Sequence, residues 1–181
     1  SKAALVISVT AKMWWWEVRY HDPASGREII SANEIRIPAG RTVYVALSAT
    51  DVIHSLWVPA LAGKRDMVPG RMTGLTLRAD KPGVYRGQCA EYCGEQHARM
   101  ALHVVAETPA AFDAWLARER QDAAPPGDAF LERGRQAFIG QRCAACHTIR
   151  GMPGESRQGP DLTHVGSRLH IAAGTLRNHR G

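Results

Sequence analysis

The sequence predicts a mainly β fold: a sandwich or barrel of short strands followed by a short helical unit. Three observations carry this. Apolar and polar residues alternate with period two in many short stretches, as half-buried strands require. Turn formers such as Asp22-Pro23, Pro38-Ala39-Gly40, Pro69-Gly70 and Lys81-Pro82-Gly83 separate these stretches, with no helical pattern between them. From Thr108 onward the period becomes helical.

Taken in order, the chain opens with AALVISV at 3–9 and WWWEVRY at 14–20, where Trp14, Trp16, Val18 and Tyr20 alternate with Trp15, Glu17 and Arg19. Further strands are expected over 28–37, 42–48, 55–59, 75–78, 84–88 and 101–107, paired antiparallel. Thr108 is suited to cap a helix, with Pro109 at its first position and Phe112, Trp115, Leu116 and Glu119 at helical spacing. DAAPPG at 122–127 reads as a linker, because consecutive prolines cannot continue a helix. Asp128 then caps a second helix, whose Phe130, Leu131, Gly134 and Phe138 share one face and lead into CAACH at 143–147. The expected division is a first unit over 1–121, the linker 122–127, and a second unit over 128–181.

With 181 residues, 45% of them hydrophobic and 22% charged, the composition is that of soluble globular protein. No stretch approaches the roughly 18 uninterrupted apolar residues of a membrane span. The N-terminus lacks the layout of a signal peptide. The chain as given is expected to be soluble, with any anchor lying in a longer parent upstream of Ser1. A net charge of +6 raises the question of an acidic partner. The basic residues are scattered, without a dense run or an aromatic-basic stripe, so a solvated surface is expected and nucleic acid is not.

The four cysteines form two tight pairs, Cys89 with Cys93 and Cys143 with Cys146. A disulfide within either pair would close a very small loop and constrain little of the unfolded chain, so cofactors are the better reading. The stretch CAEYCGEQHARM, 89–100, holds two thiols, an imidazole and a thioether. Such soft donors select copper or zinc and exclude calcium and magnesium. A tetrahedral zinc site would use Cys89, Cys93, His97 and a second histidine and leave Met100 idle. A mononuclear copper site would leave one thiolate over, whereas two bridging thiolates imply two coppers. Each copper then needs its own nitrogen, and His54, at the join of two expected strands, is the best second donor.

The order DVIHSLWVPAL, KRDMVPGR, PGVYRGQCAEYCGEQHARM closely resembles the copper A domain of cytochrome c oxidase subunit II, a cupredoxin-like Greek-key β-sandwich. The resemblance covers residues 1 to 107 in pattern. It implies His54, Cys89, Cys93, His97 and Met100 as side-chain ligands of a binuclear copper centre, with Glu91 contributing its backbone carbonyl. It also implies that the Glu91 side chain reaches a magnesium at the interface with subunit I; Asp51 lies near the same face by chain order. MWWWEVRY resembles the aromatic stretch through which that subunit receives electrons, with Trp14 in the receiving position and Trp15 and Trp16 beside it. Alternate tryptophans in a strand are ordinarily core residues.

CAACH fits Cys-x-x-Cys-His, in which two thiols form thioethers to haem c and the histidine takes an axial position. The preceding helix and GPDLTHVGSR at 159–168 resemble a class I cytochrome c, and Pro160 would orient His147 through its carbonyl. That family's sixth ligand is usually a downstream methionine. Met152 lies too close to the attachment site, and His164, His170 and His179 are the other candidates. The second unit therefore reads as a partial cytochrome c domain, with its axial methionine and closing helix beyond Gly181.

Together the two resemblances imply an electron-transfer subunit of a haem-copper oxidase on the periplasmic or outer face of a membrane. It would take electrons from a cytochrome c or other donor and pass them to subunit I for oxygen reduction, with no bond chemistry of its own. The alternatives are a copper-delivery module and the copper A domain of another respiratory reductase.

Overall fold

The computed structural model describes residues 5–21 and 26–179. The Asp22-Pro23 turn and the first residues of the expected 3–9 strand lie outside them. Ten strands form the first part: β1 (Val6–Lys12), β2 (Trp15–His21), β3 (Glu28–Ala32), β4 (Glu34–Pro38), β5 (Val43–Ala49), β6 (His54–Trp57), β7 (Arg65–Met67), β8 (Thr73–Leu77), β9 (Gly83–Cys89) and β10 (Ala101–Glu107). They make two five-stranded sheets, ordered β3-β2-β1-β5-β8 and β4-β10-β9-β6-β7. Inward residues of both sheets, among them Ile7, Val9, Trp16, Leu47, Leu56 and Leu102, form one core, the two-layer arrangement that alternating strands favour.

Four expectations are corrected. Residues 28–37 are two strands in different sheets, because Asn33 adopts a left-handed conformation (φ 62) and turns the chain between them; asparagine is among the few residues that tolerate it. The Asn33 Oδ1 accepts the Trp16 N–H at 2.9 Å, fixing the break against β2. The pairing is also not wholly antiparallel: β1 runs parallel to β5, and β10 to β4. Strand β7 is absent from the period-two reading because three residues are too few to show a period. Finally, β2 begins at Trp15, so Trp14 precedes the strand, and the strand lacks an exposed alternate face. Glu17 is buried there, held by Lys12 at 3.0 Å and Arg19 at 2.6 Å. Burial opposes its ionisation, but hydrogen bonds from Arg19 and Lys12 outweigh that and hold the carboxyl below its usual range.

Helix α1 (Pro109–Glu119) starts as its sequence signals, with the Thr108 hydroxyl accepting the Ala111 N–H. Phe112 and Trp115 anchor it on Tyr20, whose ring lies 5.0 Å from that of Trp115. Helix α2 (Ala129–Gly140) is capped by Asp128, which accepts the Leu131 N–H at 2.8 Å. None of its residues is buried; Phe130 and Leu131 face solvent. A 3-10 turn, Cys143–Ala145, follows, and the segment ends in a hairpin of β11 (His170–Ile171) and β12 (Leu176–Arg177), an addition to the helical reading.

The hairpin lies on the first part. The Ala101 N–H donates to the Ala173 carbonyl at 3.0 Å, and the Leu169 N–H to the Glu34 carboxylate at 2.8 Å. The rings of His103 and His170 stack at 3.7 Å with 10° between their planes. Strand β10 is thus covered on both faces, which explains its six consecutive buried residues.

Candidate metal centre and adjoining cavity

The metal-loop residues converge because three elements end at one rim of the sandwich. Strand β6 begins with His54, β9 ends with Cys89, and a loop carries Cys93, His97 and Met100 back to β10. Strands β6 and β9 pair so that Leu56 faces Cys89. The loop is closed by Cys89 N–H to the Met100 carbonyl (2.9 Å) and Ala90 N–H to the Ser55 carbonyl (2.9 Å).

Within this cage the Cys89 and Cys93 sulfurs lie 3.8 Å apart, far beyond a disulfide bond; all four cysteines are free thiols. His54 Nδ1 is 3.9 Å from the Cys89 sulfur, and His97 Nδ1 is 3.5 Å from the Cys93 sulfur. The Met100 sulfur is 3.8 Å from Cys93, and the Cys89 thiol donates to the Glu91 carbonyl at 3.1 Å. His54, Cys89, Cys93 and Met100 are buried. The donor set is soft and water-poor, paired sulfurs flanked by one imidazole on each side, and it fits a sulfur-bridged copper pair better than a single tetrahedral ion.

Burial opposes ionisation of both thiols. Beside Cys89 the His54 imidazole outweighs it and draws the thiol down to about 6, whereas burial and the neighbouring Cys89 charge push Cys93 up to about 12.

Asp51, placed from the sequence only near the interface face by chain order, orients His54. Its Oδ1 accepts the His54 Nε2–H at 2.8 Å, which leaves Nδ1 toward the sulfurs. Its carboxylate also accepts the Val52 and Met13 N–H groups, both at 2.7 Å. Carboxylate–histidine pairs of this kind fix the tautomer of a metal-ligating ring. The sequence signal was there, an acid three residues before a histidine donor. The Glu91 side chain is partly exposed, and among the described residues no other acid joins it in a cluster that could hold a metal.

Trp14 sits beside the cage. Its indole N–H donates to the Cys93 carbonyl at 3.0 Å. A Cβ on Gly94, whose φ is +111, would come within 3.2 Å of the Trp14 ring, so glycine serves both the backbone and the close approach.

On its other side Trp14, with Trp15, walls a cavity of about 720 Å³ between the two parts of the chain. His147 and Pro160 line the same cavity. The His147 Nδ1–H donates to the Pro160 carbonyl at 2.8 Å, leaving Nε2 as the free nitrogen. Gly159 is required beside it, since a Cβ there would fall 2.6 Å from the ring. Cys143 and Cys146 share the turn that delivers His147, whose N–H donates to the Cys143 carbonyl at 3.0 Å, but they do not line the cavity. A mostly apolar cleft with a locked imidazole beside two free thiols fits a covalently attached haem. His164 is turned away, its Nε2 bonded to the Gln121 carbonyl at 2.8 Å, and His170 lines the cavity but stacks on His103. Neither Met152 nor His179 lines it.

A β-sandwich of cupredoxin type with a sulfur-rich cage on its rim defines a class, the electron-transfer metalloproteins built on that fold. The comparisons narrow it. The family pattern for cytochrome c oxidase subunit II, periplasmic domain, matches residues 21–107, and that for cytochrome c matches 131–178. Cytochrome c oxidase subunit 2 of Alkalihalophilus pseudofirmus is 37% identical over 173 residues, covering 96% of this chain and 48% of that protein. That of Bacillus sp. strain PS3 is 34% identical over 182 residues, covering 94% and 49%. The chain thus spans about half the length of the curated relatives it matches. The crystal structure of the periplasmic domain of subunit II of cytochrome oxidase from Bradyrhizobium japonicum is 30% identical, with a TM-score of 0.60, over 66% of this chain and 96% of that one. The chain belongs to the cytochrome c oxidase subunit II family.

Proposed function

We propose that this chain is the electron-carrying part of subunit II of a haem-copper oxidase, exposed on the periplasmic or outer face of the membrane and docked on subunit I. Its first unit, 1–121, holds a binuclear copper centre through His54, Cys89, Cys93, His97, Met100 and the Glu91 carbonyl. Its second unit, 128–181, would hold haem c through Cys143, Cys146 and His147, and 122–127 links the two. Magnesium at the Glu91 side chain remains an expectation of the resemblance for the interface with subunit I.

A thiolate-bridged copper pair and a covalent haem each supply reversible one-electron storage. The chain's own residues do the rest. The buried cage excludes water, Asp51 holds the His54 ring in one tautomer, and Pro160 holds His147. Trp14 and Trp15 carry electrons from the cavity side to the cage. The observation that carries this reading is the position of Trp14, whose ring walls the cavity containing His147 while its N–H binds the carbonyl of Cys93. A structure similar to this chain is a mixed disulfide between a thioredoxin-like protein and subunit II; by that likeness a thioredoxin-like protein is a further partner of this chain, reached through a cysteine thiol.

The test is electron paramagnetic resonance of the copper-loaded chain. A seven-line mixed-valence spectrum is expected, lost in Cys89→Ser. A silent Cu(I) carrier, or a spectrum unchanged in the variant, rejects the reading in favour of a copper-delivery module.

A further inference from the structure

The cavity between the two parts is charged with one sign. Among the described residues, its wall carries two guanidinium groups, Arg99 and Arg168, and no carboxylate. An apolar cleft with cations at its wall selects a flat apolar ligand bearing acid groups, because each guanidinium offers paired donors to a carboxylate. Arg168 comes from the segment that carries His147; its guanidinium donates to the Asp161 carbonyl, and its Nε is buried without a partner.

Arg99 comes from the other side. It lies in the short turn His97–Arg99, between the donors His97 and Met100 of the metal cage. It is exposed and makes no hydrogen bond or ion pair among the described residues, yet it stands on the wall of the cavity that His147 lines. A cation on a metal-binding loop without a counter-charge of its own is placed to receive one from a ligand.

We propose that Arg99 is a latch: its guanidinium pairs with a carboxylate of the haem held at 143–147, tying the metal loop of the first unit to the haem of the second. This rests on the haem reading above. The latch makes docking of the two units depend on haem, and it sets one charged contact between the haem edge and the loop that bears His97 and Met100.

Two amides report docking: Leu169 N–H on the Glu34 carboxylate and Ala101 N–H on the Ala173 carbonyl. The test follows their hydrogen exchange in the full chain matured with covalent haem, and in a haem-free Cys143→Ser, Cys146→Ser chain. Arg99→Gln is expected to speed exchange about tenfold in the haem-bearing chain, the size of one charge-assisted hydrogen bond at a partly exposed position. Arg99→Lys should give a smaller increase, and neither variant should alter the haem-free chain. The haem midpoint potential should also fall in Arg99→Gln, because a positive charge that favours the reduced haem is removed. Equal exchange in wild type and Arg99→Gln with haem bound, or the same acceleration without haem, overturns the latch alone. A matured chain that carries no covalent haem overturns the haem reading and the latch together.

Discussion

The indole N–H of Trp14 is hydrogen-bonded to the backbone carbonyl of Cys93, 3.0 Å away and 79 residues later in the chain. One side chain thereby touches both the metal cage and the cavity of His147. Trp14→Phe keeps an aromatic ring but removes the donor. Electron transfer from haem to copper should slow in flash-reduction experiments, while the copper spectrum keeps its mixed-valence pattern and the fold loses about 1 kcal/mol. An unchanged transfer rate would remove Trp14 from the path.

Asp51→Ala deletes the hydrogen-bond partner of His54 Nε2 and frees the ring to turn. Loss of such a carboxylate typically lowers metal affinity about 10- to 100-fold. Competition with a chelator measures it, and wild-type affinity in the variant would show that the cage alone orients His54.

Gly159→Ala places a methyl against the His147 ring, where its nearest atom would be only 2.6 Å away. The ring or the loop must shift. Overpacking of this kind costs about 1–3 kcal/mol. Thermal unfolding should register that loss, and the haem ligand-field bands should change. A variant with wild-type stability and bands would mean that the loop yields freely.

Docking should be sensitive to acid through the His103–His170 stack. Burial, the facing His170 and Arg86 on the paired strand lower His103 from 6.5 to about 4; burial and Arg177 lower His170. Both rings are neutral when docked and take up protons more readily when released, so docking weakens as pH falls from about 6.5 toward 4. Glu34 is paired with His103 in the β10–β4 register, and its carboxylate accepts the Leu169 N–H. The protection factor of the Leu169 amide, taken relative to the intrinsic exchange rate at each pH, should fall over that window, and His103→Asn should flatten the dependence. An unaltered profile would exclude the stack as its source.

The sequence by itself determined the donor set, the CAACH motif, the helix starts and most of the strands, because these depend on residue type and on spacing along the chain. Cys89, Cys93, His97 and Met100 lie within one loop, so their chemistry was legible without a fold, and the period of two marks a strand whichever sheet receives it. Only the tertiary structure decided what depends on neighbours distant in sequence. It split 28–37 at Asn33, made two strand pairs parallel, gave Asp51 to His54, and set Trp14 between Cys93 and the cavity of His147. The physical reason is that period and composition record which face of an element is apolar, whereas sheet order and the meeting of loops at one rim are fixed by packing the whole core.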